Sequence, residues 1–419
     1  MNIYLVGINH RTAPVAVREK VAIRIEALGE ALELLRAYVP HGVILSTCNR
    51  TEVYTLTSED GGAGAASLNF LQTHLDIPDK TLRRYIYTLE GQAAVEHLFR
   101  IACGLDSMII GEYEVLGQVS QALEAAEKAK MVSLPIRHLF QEAIRTGRRV
   151  REETAISKNA LSVSSVAVEL AAKTIGHLQN CKMLVIGAGE AGRLAAKAAK
   201  DRGVSQITVV SRTRARASTL AAQLGGRPIT INEMAQELNT CDLVVACAGA
   251  PHHLLGVQHI EEVMRHRPKR PMVIIDIAVP RIVAPEVAEI KNVFLYNIDD
   301  LTQISEQNRR RRQGEMEKAA KIIAAEMAEF AAWWQTLETR PVISALMKKA
   351  EAIRSTQLSK TLKKLRPLSD EERESLEAMT KSIVTKILQE PISYLKENAG
   401  SHQELAEIVS KLFSLDGKR

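Results

Sequence analysis

The sequence predicts a multidomain chain that joins α/β to all-α structure: an α+β domain, a doubly wound Rossmann domain, a long spinal helix and a helical C-terminal domain. Three observations carry that expectation. Strand-like apolar runs mix with helical periodicity in the first part, and the pattern is almost wholly helical from about 90 to 150. Between about 160 and 295, short apolar runs alternate with helical segments, as in a parallel sheet covered on both faces. After Asp300 the strand signals stop. From Leu301 to Thr336 there is no proline and one glycine, Gly314, which reads as a single long helix before Pro341 interrupts it.

In the first domain, strands are expected at Ile3 to Ile8, Gly42 to Ser46, Val53 to Thr57 and Arg84 to Thr88. Residues 46–52 read Ser-Thr-Cys-Asn-Arg-Thr-Glu, so Cys48 sits between the apolar runs Val43 to Leu45 and Val53 to Leu56. A strand tip presents a thiol rigidly, and the Arg50 guanidinium two residues on is expected to favour its thiolate. The alternative is a cysteine packed as a small hydrophobe, which is the commoner fate of a free cysteine. The following helix carries His97 within the apolar set Val95, Leu98, Phe99 and Ala102, a pattern equally compatible with simple packing.

The second domain opens on a short apolar strand ending at Ile186, then Gly187, Ala188, Gly189, Glu190, Ala191 and Gly192 lead into an alanine-rich helix. In a dinucleotide fold the first glycine makes the tight turn, the second lets the pyrophosphate approach and the third allows helix to pack on strand. A second strand, Gln206 to Val210, ends not in Asp or Glu but in Ser211-Arg212-Thr213, a hydroxyl and a cation suited to a 2′-phosphate. NADPH is therefore expected rather than NADH, the alternative being that Arg212 and Arg214 belong to an ordinary solvated loop. Further strands are expected at Leu243 to Ala246, Met272 to Ile275 and Val293 to Tyr296.

A nucleophilic thiol and a reduced nicotinamide explain each other. Hydride does not readily reduce a carboxyl ester, but once a thiolate displaces the leaving group the thioester carbonyl can accept it and yield an aldehyde. Composition fits a soluble enzyme: 46% hydrophobic residues over 419 positions support two or three cores. Cysteines 48, 103, 181, 241 and 247 are scattered without a Cys-x-x-Cys pair, so neither a zinc site nor a disulfide framework is expected, and a reducing, cytoplasmic setting is. No leader and no membrane-spanning run is read in the chain. The balance of 55 Lys plus Arg against 49 Asp plus Glu permits an RNA partner without requiring one, and the densest cluster, Arg309 to Arg312, reads equally as a solvated helix face.

Beyond Pro341, Ile343, Leu346, Ala350 and Ile353 recur at helical spacing, as do Leu376, Met379, Ile383 and Ile387, with a capping box of Ser369 and Glu372 between the two stripes. Two or three such helices have little core of their own. A second copy of the same helices is the economical partner, giving a homodimer.

Several segments together resemble glutamyl-tRNA reductase, in order along nearly the whole chain. They are Gly7-Ile-Asn-His-Arg-Thr-Ala-Pro14, Leu45-Ser-Thr-Cys-Asn-Arg-Thr-Glu52, His97-Leu-Phe-Arg-Ile-Ala-Cys-Gly-Leu-Asp-Ser107, Gly111-Glu, Leu116-Gly-Gln118, Asp276-Ile-Ala-Val-Pro280 and Tyr296-Asn-Ile-Asp-Asp-Leu301. The resemblance implies NADPH-dependent reduction of charged glutamyl-tRNA to glutamate-1-semialdehyde, the first step of five-carbon tetrapyrrole synthesis. It implies Cys48 as nucleophile and His97 as a second catalytic group that moves a proton. Thr47, Asn49, Arg50, Ser107, Glu112, Tyr113, Glu114 and Gln118 would form the substrate pocket, with Arg50 forked onto a carboxylate.

It also implies a V-shaped homodimer joined through the C-terminal helices, with a space for tRNA or for a glutamate-1-semialdehyde aminomutase receiving the aldehyde. Its domains would be a catalytic one over 1–155, an NADP-binding one over 156–298, the spinal helix over 299–340 and the dimerisation domain over 341–419. Closure of a hinge around residues 150–160 would bring the nicotinamide to Cys48. One departure stands out: Glu114 occupies the place of a family glutamine, and an ionised carboxylate there would repel an acidic substrate. Two rival classes keep the glycine turn. A shikimate-dehydrogenase-type enzyme would not need Cys48, and an NADPH-binding redox sensor would use it without turning over an acyl substrate.

Overall fold

The computed structural model describes residues 3–56, 62–74, 83–157, 162–301, 312–365, 368–397 and 403–415. It divides into two compact units, 1–324 and 325–419.

The first unit begins with a four-stranded antiparallel sheet in the order β2-β3-β1-β4, with β1 Ile3–Asn9, β2 Gly42–Ser46, β3 Arg50–Leu56 and β4 Tyr87–Glu90. The last strand starts later than the Arg84 to Thr88 expected, because residues 83–85 are helical. β2 and β3 are a hairpin in register Ser46↔Thr51, whose tip holds Thr47, Cys48 and Asn49. On the other side β3 pairs with β1 so that Gly7 faces Glu52, and a Cβ on Gly7 would lie 2.7 Å from the Glu52 Cγ. Glycine there is what lets a carboxylate side chain enter the sheet. The helices Gln92–Ala102, Glu114–Lys128 and Leu134–Glu153 supply the apolar cover, burying Leu98, Phe99, Val119 and Phe140.

The six strands that follow are all parallel, in the order β10-β9-β8-β5-β6-β7: β5 Lys182–Ile186, β6 Gln206–Val210, β7 Arg227–Ile229, β8 Leu243–Ala246, β9 Met272–Asp276 and β10 Val293–Asn297. The three-residue β7 contains Pro228 and has too little apolar length to be read from the sequence. Side chains alternate between two cores, Met183, Val185, Val209 and Val245 on one face and Leu184, Ile186, Val210 and Val244 on the other. Burial on both faces explains why these strands read as continuous apolar runs. The order reverses between β5 and β8, so the switch point lies at the carboxyl end of β5, where the glycine turn stands.

The long helix runs Gln313–Leu362 and passes through Pro341 instead of ending there. Proline removes one donor from an interior turn, a cost that a fifty-residue helix absorbs from the turns on either side. Residues 302–311, including Arg309 to Arg311, lie outside the described residues. In the second unit, the Asp370–Glu397 helix opens on the expected capping box: Ser369 N–H donates to Glu372 Oε2 at 2.9 Å and Glu372 N–H to Ser369 Oγ at 3.2 Å. Among its described apolar residues Leu346, Leu388 and Leu395 are buried, while Ile353, Met379, Ile383 and Ile387 are exposed. None of the described helices is long and apolar enough to cross a membrane.

Candidate active site

The turn that carries Cys48 is tied by its own side chains. Thr47 Oγ1 accepts the N–H of Asn49 at 3.1 Å and of Arg50 at 3.2 Å, and Thr47 N–H donates to Arg50 O at 2.8 Å. Cys48 is half-buried and packs against the core of the parallel-sheet domain instead of standing clear at a strand tip. Thr47, Cys48, Asn49, Arg50, Ser107, Glu112, Glu114, Val115 and Gln118 line one small cleft. Residues from two stretches some sixty positions apart, 47–50 and 107–118, thus meet in one cleft, while Tyr113 is 62% exposed and outside that lining.

Two polar atoms in the cleft wall, Asn49 Oδ1 and Ser107 Oγ, are buried and find no hydrogen-bond partner among the described residues. Each carries a desolvation cost that a polar group of a bound molecule would relieve. Burial, then the neighbouring Glu114, pushes the Glu112 carboxyl up to about 8, so it is a neutral donor at pH 7. Glu114 is raised too, by burial and then by Glu190. Glu114 is therefore shifted toward the protonated form, in which a carboxyl can donate a hydrogen bond.

Arg50 lines the cleft and is also tied into the sheet behind it. Its side chain turns away from the thiol into a buried network, where Nη1 meets Glu52 Oε1 at 2.8 Å and Asp106 Oδ2 at 3.2 Å, and Nη2 donates to Asp106 O at 2.5 Å. The reason is register: Arg50 begins β3, and Glu52, two residues along, shares its face. Three of its five N–H groups are engaged there, so the guanidinium is anchored by Glu52 and Asp106 while Arg50 remains one of the residues that line the cleft. The Cys48 thiol is pushed up to about 12, by burial first and by Glu112 and Glu114 next, with Arg18 opposing. Arg18 is the cation at the turn, and its Nη1 donates to Cys48 O at 2.5 Å.

His97 belongs to the same buried network. Its Nε2 lies 3.0 Å from Glu52 Oε1 and 3.3 Å from Tyr87 Oη, and the ring is not part of the cleft lining. Glu52 also accepts from Tyr54 at 2.7 Å and Tyr87 at 2.5 Å. Burial opposes its charge, yet Arg50 and then His97 hold it well below the usual carboxylate range. Glu52, Asp106 and Tyr87 were not singled out from the sequence, although a carboxylate inside an apolar strand run was a legible signal for Glu52.

The glycine turn is built for a dinucleotide. Gly187 has φ +124, and a Cβ on Gly192 would lie 2.4 Å from Gly187 O, so both are excluded from carrying a side chain. Around Gly189 there is open space, the place where a pyrophosphate approaches the backbone at the start of the Glu190–Asp201 helix. Ala188 and Ala191 pack against the domain core beneath it. Ser211 and the exposed Arg212 follow β6 at the neighbouring strand end. Among the described residues no group of His, Cys, Asp and Glu is arranged to hold a metal ion.

Fold and site together define a class: a chain with a dinucleotide-binding domain docked beside a cysteine-bearing α+β domain. Residues 6–154 match the family of the glutamyl-tRNAGlu reductase N-terminal domain, residues 169–304 that of shikimate / quinate 5-dehydrogenase, and residues 318–415 the glutamyl-tRNAGlu reductase dimerisation domain. The chain is 40% identical over 420 residues to the glutamyl-tRNA reductase of Paenibacillus macerans, covering 99% of this chain and 96% of that one. It is 42% identical over 405 residues to that of Natranaerobius thermophilus, covering 95% and 88%. The solved glutamyl-tRNA reductase from Methanopyrus kandleri aligns over 99% of this chain and 100% of its own, with 33% identity and a TM-score of 0.51. The chain belongs to the glutamyl-tRNA reductase family, a family of oxidoreductases.

Proposed function

We propose that this protein reduces the glutamyl group of charged glutamyl-tRNA to glutamate-1-semialdehyde at the expense of NADPH, opening five-carbon tetrapyrrole synthesis. The observation that carries the reading is the cleft itself, in which Cys48 shares a wall with two unpartnered buried polar atoms and a neutral Glu112. Cys48 Sγ, once deprotonated, attacks the ester carbonyl, the bond to the terminal ribose oxygen breaks, and the tRNA leaves with a proton. Glutamate is then held as a thioester. Asn49 Oδ1 can accept from its ammonium, while Ser107 Oγ and the protonated Glu112 can donate to its carboxylate. Tyr113 points away from this pocket, and Gln118 and Thr47 complete its wall.

NADPH supplies hydride when bound, with Gly187 to Gly192 cradling its pyrophosphate and Ser211 and Arg212 facing its 2′-phosphate. Addition at the thioester carbon and cleavage of the C–S bond return the Cys48 thiolate and release the aldehyde. His97 acts behind the site, orienting Glu52 and through it Arg50 and the turn. The division into segments 1–155, 156–298, 299–340 and 341–419 goes with these roles. A homodimer through the C-terminal helices would cover the exposed Ile353, Met379, Ile383 and Ile387.

The decisive experiment supplies glutamyl-tRNA and NADPH to the wild type and to Cys48→Ser. Wild-type aldehyde formation is expected, with a loss of at least about a thousandfold in the variant and nearly unchanged NADPH affinity. NADPH binding without aldehyde in either protein would leave the redox-sensor reading in its place.

A further inference from the structure

Two motif segments at the carboxyl ends of β9 and β10, Asp276 to Pro280 and Tyr296 to Leu301, find no role in the cleft. Asp276 accepts three backbone N–H groups, from Ala278 at 3.0 Å and from Ile282 and Val283 at 2.8 Å, which shapes the loop that presents Arg281. Arg281 Nη2 and Nε then meet Glu19 Oε1 and Oε2 at 2.7 and 2.9 Å. From the second segment, Asp299 Oδ2 accepts Val15 N–H at 2.8 Å and Oδ1 accepts from Arg18 Nη2. Both loops therefore grip one short helix, Val15–Val21, of the cysteine-bearing domain.

Arg18 is the member that reaches furthest. It is 2% exposed, and each nitrogen has a different duty: Nε donates to Ala13 O at 3.2 Å, Nη2 to Asp299, and Nη1 to the carbonyl of Cys48 at 2.5 Å. One rigid guanidinium thus spans the nucleophile's own peptide and a carboxylate two residues beyond β10 of the parallel sheet, at the strand ends where a dinucleotide lies in such sheets.

We propose that Arg18 is a positioning residue which, held by Asp299, sets the Cys48 acyl group in register with the nucleotide-binding domain for hydride transfer. The inference rests on the thioester reading above. It divides the reaction, since Cys48 can take the acyl group without the nucleotide domain in register, whereas reduction needs both domains placed together.

The test uses full-length protein carrying Asp299→Asn, which preserves shape and removes the charge. Without NADPH, tRNA release on acylation of Cys48 should stay within about threefold of wild type, while aldehyde formation with NADPH falls about tenfold to a hundredfold in kcat with little change in NADPH KM. Arg18→Met combined with Asp299→Asn should lose no more than the worse single variant, since both cut the same link. A third readout needs no substrate. Iodoacetamide labelling of the Cys48 peptide, followed by mass spectrometry, should quicken at least about fivefold in Asp299→Asn as the docked domain loosens. Equal loss in both half-reactions, multiplicative losses in the double variant, or unchanged labelling would overturn the proposal. A wild type that forms neither acyl-Cys48 nor aldehyde strikes at the thioester reading instead, and the labelling result still decides whether Arg18 and Asp299 hold the domains together.

Discussion

The two sides of the β2–β3 hairpin are made from neighbouring residues and are opposites. On the side of Arg50 and Glu52, the acceptors are saturated: Glu52 is fully buried and takes hydrogen bonds from Arg50, Tyr54, Tyr87 and His97. On the side of Cys48, Asn49 Oδ1 and Ser107 Oγ are buried and unpartnered, and Glu112 is held neutral. A fold can afford the second surface because the first is so well connected. The difference teaches where stability ends and binding begins, within two or three residues of one turn.

Breaking the saturated side should have the largest effect. Arg50→Met leaves Glu52 buried without its principal cation, which costs on the order of 3–5 kcal/mol. Urea unfolding followed by far-UV circular dichroism should show the first unit's transition moving to lower denaturant. An unchanged midpoint would mean the network is not what holds the hairpin.

A change on the open side should do the reverse. Ser107→Ala removes an unsatisfied buried hydroxyl, so stability should be unchanged or higher by up to about 1 kcal/mol, while substrate KM rises about tenfold. If Ser107→Ala unfolds the domain as readily as Arg50→Met, the contrast between the two sides is false.

The pH dependence sharpens the comparison further and is the smallest effect. Glu112 is raised from 4.5 to about 8, so between those values the folded chain keeps a proton that the unfolded chain has released. Stability from this group is present below 4.5 and is lost as pH rises through 8. Glu112→Gln should flatten the fall in melting temperature between pH 4.5 and 8 and should also remove the rise in KM above pH 8. His10, lowered from 6.5 to about 4 by burial and then by Arg50 and Arg11, works in the opposite sense, its contribution being lost as pH falls through that window. A Glu112→Gln profile that still falls between pH 4.5 and 8 would assign that fall to another group.

Much of this was legible in the residues. The glycine turn is a local device, its spacing and flanking strands all lying between Lys182 and Val210, and each expected strand of the parallel sheet is present. The capping box of Ser369 and Glu372 was read from a spacing of three and is formed. For Arg50 the residues gave nearness to Cys48 but not the direction of the side chain in space. Cys48 and Arg50 are two apart, yet one lies in the turn and the other begins a strand, so their side chains diverge. Pro341 was overvalued because a local breaker was weighed without the length of helix around it.

The sequence by itself determined the fold class, the dinucleotide turn and the cysteine-bearing hairpin, since strand pattern and glycine spacing are carried by short stretches of chain. Only the tertiary structure decided the partners of the charges. Arg50 meets Asp106, Arg18 meets Asp299, and Glu19 meets Arg281 across 56, 281 and 262 positions respectively. The physical reason is that a buried charge takes its role from whatever counter-charge packing brings within about 3 Å, and sequence distance holds no information on that approach.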